Sequence, residues 1–132
     1  MANLKILFEK ALEVRAYAYA PYSGFKVGAA VLSSKEKIFV GANVENVSYP
    51  CGTCAEEAAI ASMIAGGNDE ISDIVIVADS KNLIAPCGAC LQRILEFSGK
   101  KTMVHLANLQ GIQCSYSIEE LMPFAFHEDL KK

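Results

Sequence analysis

Two short stretches of the chain contain cysteines, one of them next to a glutamate and the other within a turn-forming string. Cys54 and Glu56 stand in the first stretch, and Cys87 and Cys90 stand in the second, within the string PCGAC. Both stretches fall where a predicted loop enters a predicted helix, and helix N-termini favour thiolates because unpaired N–H groups face them. Three thiolates suit a tetrahedral Zn²⁺ and leave its fourth position for water, which is typical of a catalytic zinc site. Glu56, two residues after a ligand, is then placed to move protons without binding the metal.

A closed structural zinc site is the main alternative. Cys51 and Cys54 form a CxxC unit, as do Cys87 and Cys90, so four thiols are available. The catalytic interpretation is favoured because residues 55–86 separate the two units, whereas about 15–20 residues are usual in a compact zinc site. A structural site also needs no glutamate beside a ligand. We therefore predict that Cys51 is a loop thiol, and that His105, within a predicted strand, is packed or hydrogen-bonded and is not a ligand.

With 52% hydrophobic and 20% charged residues, the composition predicts one globular domain over residues 1–132. A net charge of −3 disfavours nucleic acid and anionic membranes as partners. No stretch approaches the roughly 18 apolar residues of a membrane span. The chain opens without a secretory leader pattern, and its five cysteines point to metal binding more than to disulfides. We expect a cytoplasmic protein.

The elements that position these residues are predicted from periodicity and turn signals. A first helix, which ends before Pro21, precedes a β-hairpin, and a second helix begins near Cys54. DIVIVAD has the pattern of a central strand, parallel to a neighbour. A third helix, LQRILEF, follows PCGAC and is stopped by Ser98 and Gly99. Two further strands, TMVHLAN and QCSYSI, precede a short terminal helix. Together they predict a three-layer α/β/α sandwich with a five-stranded mixed sheet, its first pair antiparallel and its later strands reached by helical crossovers.

Several separated strings resemble the small, homotetrameric, three-cysteine cytidine deaminases. They are YAPYSGFKVGAAVL, GANVENVSY, CAE, PCGAC followed by Gln92, and ELMPFAF. The resemblance runs from about Tyr19 to Phe126. It implies Zn²⁺ as the cofactor, Glu56 as the proton shuttle, and hydrolytic deamination of cytidine and 2′-deoxycytidine in pyrimidine salvage. Two alternatives stay open. A deaminase that edits RNA or DNA is disfavoured by the net charge of −3 and the absence of Trp, and a non-catalytic zinc-stabilised module would deaminate no pyrimidine.

The same resemblance assigns the ribose contacts to Asn43 and Glu45. A neutral amide and a carboxylate suit a diol and discourage a phosphate, so a free nucleoside is the expected substrate. On local grounds alone, these two residues could equally cap a turn.

The base contacts implied by the resemblance come from two subunits. Phe25 would pack along the pyrimidine, and Ala55 would offer its backbone N–H to the base carbonyl. Phe126 would stack on the base from a neighbouring subunit, with Tyr49 near a subunit junction. Without the resemblance, Phe25 and Phe126 would be interpreted as core residues.

Two positions depart from the family pattern. The family usually has an arginine after the glutamate of CAE and another after the second cysteine of PCGxC, where this chain has Glu57 and Leu91. We hypothesise that the helix N-termini, aided by Arg93 one turn after Cys90, compensate the thiolate charge. Because blasticidin S deaminases share the zinc motif and lack the first arginine, that substrate stays open, although NVEN and the aromatic C-terminus favour cytidine.

Overall fold

The computed structural model describes residues 3–126. In chain order the elements are α1 (Leu4–Arg15), β1 (Val27–Ser33), β2 (Ile38–Ala42), a 3₁₀ turn (Tyr49–Cys51), α2 (Ala55–Ala65), β3 (Ile71–Ala78), α3 (Gly88–Glu96), β4 (Ser98–Asn108), β5 (Gly111–Ser117) and α4 (Ile118–Leu121). Within this part of the chain, none of the helices is long and apolar enough to cross a membrane.

The five strands form one mixed sheet in the order β2-β1-β3-β4-β5. β1 is antiparallel to both β2 and β3, whereas β3 and β4 are parallel and are joined through α3. The antiparallel first pair and the parallel pairing of DIVIVAD confirm the predicted mixed sheet. The position of β3 between β1 and β4 explains its near-continuous apolar run, since both of its faces are covered.

β5 differs from the prediction because no helix leads to it. A tight turn from Asn108 to Gly111 returns the chain antiparallel to β4. The Asn108 side-chain oxygen accepts the backbone N–H groups of Gln110 at 2.9 Å and Gly111 at 3.2 Å. This side chain therefore supplies the turn that a sequence pattern of alternating elements does not reveal.

Helices cover the sheet on both faces, as predicted for a three-layer sandwich. On one face, α1 packs through Leu7 and Ala11 against the central strands; the buried cluster there comprises Leu7, Ala11, Ala30, Val75, Val77 and Ala107. On the other face, α2 and α3 bury a larger cluster that includes Val31, Ala59, Ile60, Met63, Ile74, Ile94, Val104 and Leu106. The N-termini of α2 and α3 thus lie on the same side of the sheet.

α3 ends at Glu96, one residue before Phe97, the last residue of the predicted helix. Ser98 is already the first residue of β4, paired with Ile71 of β3. The Ser98 hydroxyl donates to the carbonyl oxygen of Ile94 at 2.6 Å and so satisfies the last helical turn from the strand side. The predicted stop signal at Ser98 and Gly99 is therefore the start of the strand.

A hydrogen-bonded chain of polar side chains crosses three strands. The buried His105 on β4 lies 2.8 Å from Asp73 Oδ1 through Nε2 and 2.7 Å from Ser115 Oγ through Nδ1. Both ring nitrogens of His105 therefore have partners. This confirms the expectation of a hydrogen-bonded histidine in the sheet.

Candidate active site

The first thiol of the predicted site lies at the start of α2. Cys54 is the N-cap residue, and Ala55 and Glu56 begin the helix. Gly41 on β2 sets the position of this helix, because a Cβ added to it would lie only 2.6 Å from the Ala55 carbonyl oxygen. The absence of a side chain at Gly41 lets α2 sit directly on the strand. Gly41 lies within GANVENVSY, and no local sequence signal indicates this packing role.

The second pair of thiols lies at the start of α3. Cys87 is the N-cap residue, and Cys90 is buried in the first turn. Together with Cys54 and Glu56 they line one cavity of about 230 Å³, whose other walls are formed by Phe25, Val27, Asn43, Ala55, Ile76, Ala78, Ile84, Ala85 and Pro86. The fold thus brings the three predicted ligands and the predicted proton shuttle to one place.

Cys51 lies apart from this arrangement. It is exposed in the 3₁₀ turn, and its thiol lies 3.6 Å from the Ser48 hydroxyl. It does not line the cavity formed by the other three thiols. This geometry supports a three-sulfur site over a closed four-cysteine one.

The donor set of the cavity fits a zinc ion in its chemistry. Cys54, Cys87 and Cys90 line the same cavity, so three sulfur donors are available to one ion. Soft sulfur donors select zinc among the common divalent ions. In residues 3–126, no three Cys, His, Asp or Glu side chains already stand at the spacing of a formed metal site.

The buried acid and the buried thiol both have perturbed protonation. Glu56 is only 7% exposed, and burial raises the pKa of its carboxyl group, although its own backbone N–H and the charge of Arg93 act in the opposite direction. Burial, followed by the Glu56 carboxylate and the Cys54 thiol, raises the pKa of Cys90 far above its usual range. A carboxyl group with a raised pKa in a largely apolar cavity is suited to exchange protons near neutral pH.

Arg93 contacts the thiol site from the next turn of α3. Its Nη1 donates to Cys90 Sγ at 3.7 Å, and its Nη2 lies 3.5 Å from Glu57 Oε2. The sequence hypothesis put Arg93 near Cys90, and the structure shows this contact. Glu57, however, is paired with Arg93 and does not stand as an uncompensated charge.

Asn43 lines the thiol cavity with both ends of its amide engaged. Its Oδ1 accepts the Val27 N–H at 2.9 Å, and its Nδ2 donates to the Phe25 carbonyl oxygen at 2.9 Å. These bonds hold the start of β1 at the cavity wall. The predicted ribose contact of Asn43 would therefore use the second lone pair of Oδ1 or the second Nδ2 hydrogen.

Glu45 lines a different, adjacent cavity. Its Oε1 accepts the N–H groups of Tyr22 and Ser23, each at 3.0 Å, and its Oε2 accepts the Ser23 hydroxyl. The Ser23 hydroxyl and then the Ser23 N–H lower the pKa of this carboxyl group below its usual range. The adjacent cavity, of about 340 Å³, is also lined by Tyr49, whose ring meets that of Tyr22 edge-on with centroids 6.2 Å apart. The structure thus places Glu45 and Tyr49 beside the thiol cavity and not inside it.

The predicted base contacts divide into two groups. Phe25 and Ala55 line the thiol cavity. Phe126 is 75% exposed, and its carbonyl oxygen accepts from Gln92 Nε2 at 2.8 Å, so α3 holds the chain near this exposed ring. Ser23 was missed by sequence reasoning, since only its distance from Glu45 reveals its role.

Known proteins of one family are similar to this chain. Residues 1–106 match the family described as the cytidine and deoxycytidylate deaminase zinc-binding region. A cytidine deaminase of Halalkalibacterium halodurans is 41% identical over 122 residues, 92% of each chain, and one of Sporosarcina psychrophila is 37% identical over 96% of this chain and 93% of its own. The crystal structure of a cytidine deaminase from Burkholderia pseudomallei superposes with a TM-score of 0.85 at 41% identity, over 96% of this chain and 100% of that one.

Proposed function

Because the chain belongs to the cytidine and deoxycytidylate deaminase family, we propose that it hydrolyses free cytidine and 2′-deoxycytidine. Water and the nucleoside yield ammonia and uridine or 2′-deoxyuridine. The observation that supports this most is the single cavity shared by three thiols and the buried Glu56. A free nucleoside as substrate favours a role in pyrimidine salvage in the cytoplasm.

Cys54, Cys87 and Cys90 would hold a zinc ion in this cavity. When bound there, zinc supplies a Lewis acid that makes a water molecule acidic enough to attack at neutral pH. The three thiols line the same cavity, so these residues would supply the sulfur ligands of the metal. Cys51 would take no part, because its thiol lies outside the cavity wall.

Glu56 would perform the proton transfers. Its carboxylate would accept a proton from the attacking water and pass it to the ring nitrogen beside the amine-bearing carbon. The same carboxylate would then take the proton of the added hydroxyl group and give it to the amino group. The carbon–nitrogen bond would break as the new carbonyl forms, and ammonia would leave. The raised pKa of Glu56 supports both roles, because a group must hold and release the proton at the working pH.

The walls of the cavity would orient the base. Phe25 would pack along the pyrimidine, and the Ala55 N–H would donate to the base carbonyl from the first turn of α2, where backbone donors lack acceptors within the helix. Apolar side chains such as Ile76 and Ile84 would keep bulk water from the reacting atoms. Asn43 would bind the ribose from the wall of the thiol cavity, and Glu45 would bind it from the adjacent cavity.

A homotetramer would complete the site. The Phe126 ring is 75% exposed in a single chain. Exposed apolar surface often marks a contact with another molecule, so the ring would lie against a partner. We assign its partner as the base in the cavity of a neighbouring subunit, with Tyr49 near the same junction.

A deamination panel on the wild type and on Glu56→Gln tests the proposed function. The substrates are cytidine, 2′-deoxycytidine, blasticidin S, adenosine and a short cytosine-containing oligonucleotide, with ammonia release as the measurement. The wild type should deaminate the two cytosine nucleosides. Glu56→Gln should lose about 10²–10⁴-fold in kcat.

Zinc content, measured in parallel, separates a lost proton shuttle from a lost metal. The amide that Glu56→Gln introduces keeps the size of the original side chain, so the metal content should match that of the wild type. Turnover of blasticidin S alone, which the missing arginine at position 57 allows for, would contradict the substrate. Undiminished activity of Glu56→Gln would contradict the mechanism.

A further inference from the structure

Glu57 connects the two helices that carry the thiols. Its Oε1 accepts the backbone N–H of Cys54 at 3.4 Å, and its Oε2 lies 3.5 Å from Arg93 Nη2. Arg93 in turn donates from Nη1 to Cys90 Sγ at 3.7 Å. The contacts form a continuous chain from the first thiol residue through Glu57 and Arg93 to the third.

Glu57 has a different effect at each end of this series of contacts. At the start of α2, a carboxylate in the first turn faces the unpaired N–H groups and stabilises the helix terminus. At α3, Arg93 is 39% exposed on its side chain, so without an anchor its guanidinium is free to turn toward water. A planar guanidinium can bond a carboxylate and a sulfur at once, because its N–H groups diverge from a rigid plane.

We propose that Glu57 is a positioning residue that holds Arg93 against the Cys90 sulfur and ties the N-terminus of α2 to α3. The negative charge at position 57 then serves the thiol site through Arg93, and positive charge reaches Cys90 from its own helix. This inference rests on the proposed zinc site. It assigns to Glu57 no contact with the substrate or with the metal.

The absorption spectrum of Co²⁺-substituted protein tests this role without a measurement of turnover. Co²⁺ bound by thiolates shows a sulfur-to-metal charge-transfer band, whose energy rises when an N–H donor stabilises the sulfur lone pairs. Arg93→Ala should therefore move the band of Co²⁺-loaded protein to longer wavelength. Glu57→Ala should move it in the same direction, since Arg93 loses its anchor, and Glu57→Gln should move it less because the amide oxygen still accepts hydrogen bonds.

The double variant distinguishes positioning from a general charge effect. In the Arg93→Ala background, Glu57→Ala should produce no further shift, because the residue through which it acts is gone. Glu13→Ala, which removes an equal exposed charge from α1 on the opposite face of the sheet, should leave the band unchanged.

Two results would overturn the inference: an unshifted band in Glu57→Ala, or an equal shift in the presence and absence of Arg93. Circular dichroism checks that each variant keeps the fold. If the wild type bound Co²⁺ without any thiolate charge-transfer band, the proposed metal site itself would fail. That outcome is distinct from a normal band that Glu57 does not influence.

Discussion

Glu45 and Ser23 show how one carboxylate organises a loop. The segment between α1 and β1 has no regular structure at Tyr22 and Ser23, and Glu45 accepts the backbone N–H of both residues. Ala18, near α1, is buried, but residues 21–26 are exposed, so buried apolar contacts do not hold this part of the loop. Its order beside the two cavities therefore depends on a charged acceptor.

The Glu45 contacts predict an acid transition in this loop. Because the folded protein lowers the pKa of Glu45, its stabilising contribution is complete above the ordinary glutamate pKa of about 4.3 and is lost as the pH falls through the lower folded value. The amide resonances of Tyr22 and Ser23, followed by NMR from about pH 6 down to the acid range below the ordinary glutamate pKa, should move together.

Glu45→Gln is the control for this transition. In that variant the side chain cannot titrate, so the two amide resonances should lose the acid transition while the rest of the spectrum keeps its own. A transition that persisted at Tyr22 and Ser23 in Glu45→Gln would show that another group controls the loop.

At the scale of elements, the packing of β2 against α2 fixes the position of the helix that begins at the active site. Gly41 brings the backbone of the strand against the backbone of the helix that carries Cys54 and Glu56. Any side chain there must push α2 away from the sheet, and with it one thiol and the proton shuttle.

Gly41→Ala should therefore lower the free energy of unfolding by about 1–3 kcal/mol, the usual cost of overpacking, and reduce kcat in the same variant. Urea unfolding and steady-state kinetics measure the two effects. Gly88→Ala is the matched control for stability, because a Cβ at Gly88 meets no atom within 4 Å. Equal stability of Gly41→Ala and wild type would contradict the close packing described for α2.

How much of the fold could be predicted differs between elements. The strand pattern of DIVIVAD and the helix that begins near Cys54 follow from local periodicity and caps, so their positions were predicted well. The boundary at Ser98 and the turn at Asn108 depend on side chains that reach back to a neighbouring strand or turn, and such contacts leave no periodic trace.

The same division applies to the site. The thiols and Glu56 could be placed because each starts a helix in a distinctive motif, and helix starts are readable from the sequence. The Glu57 to Arg93 contact could not be predicted, because it depends on how closely α2 and α3 lie side by side. The turn-capping alternative for Glu45 describes the bonds that the structure shows, while its ribose role stays a prediction.

Across the whole molecule, the exposed Phe126 ring predicts that active sites are shared between subunits. Phe126→Ala should raise KM for cytidine roughly tenfold, since stacking of a base on an aromatic ring is worth about 1–3 kcal/mol. Glu56→Gln should be nearly inactive for a different reason. Each variant lacks a part that the other retains.

Co-expression of these two variants tests the sharing directly. In mixed oligomers, a subunit with an intact Glu56 can receive Phe126 from a Glu56→Gln neighbour, so the mixture should show a wild-type KM in a fraction of its sites. Sedimentation should show a tetramer. A monomer, or activities of the mixture that equal the weighted sum of the two variants, would place Phe126 outside the neighbouring site.

The two apolar clusters on either face of the sheet are built from side chains other than the three thiols. Folding of the domain is therefore driven by hydrocarbon burial, in contrast to small zinc domains whose chains collapse only around their ion. A protein built in this way can persist as an intact apoenzyme when the ion is scarce and regain its competence when supply returns. The availability of the metal would then set the fraction of the protein that is active without changing the amount of folded protein.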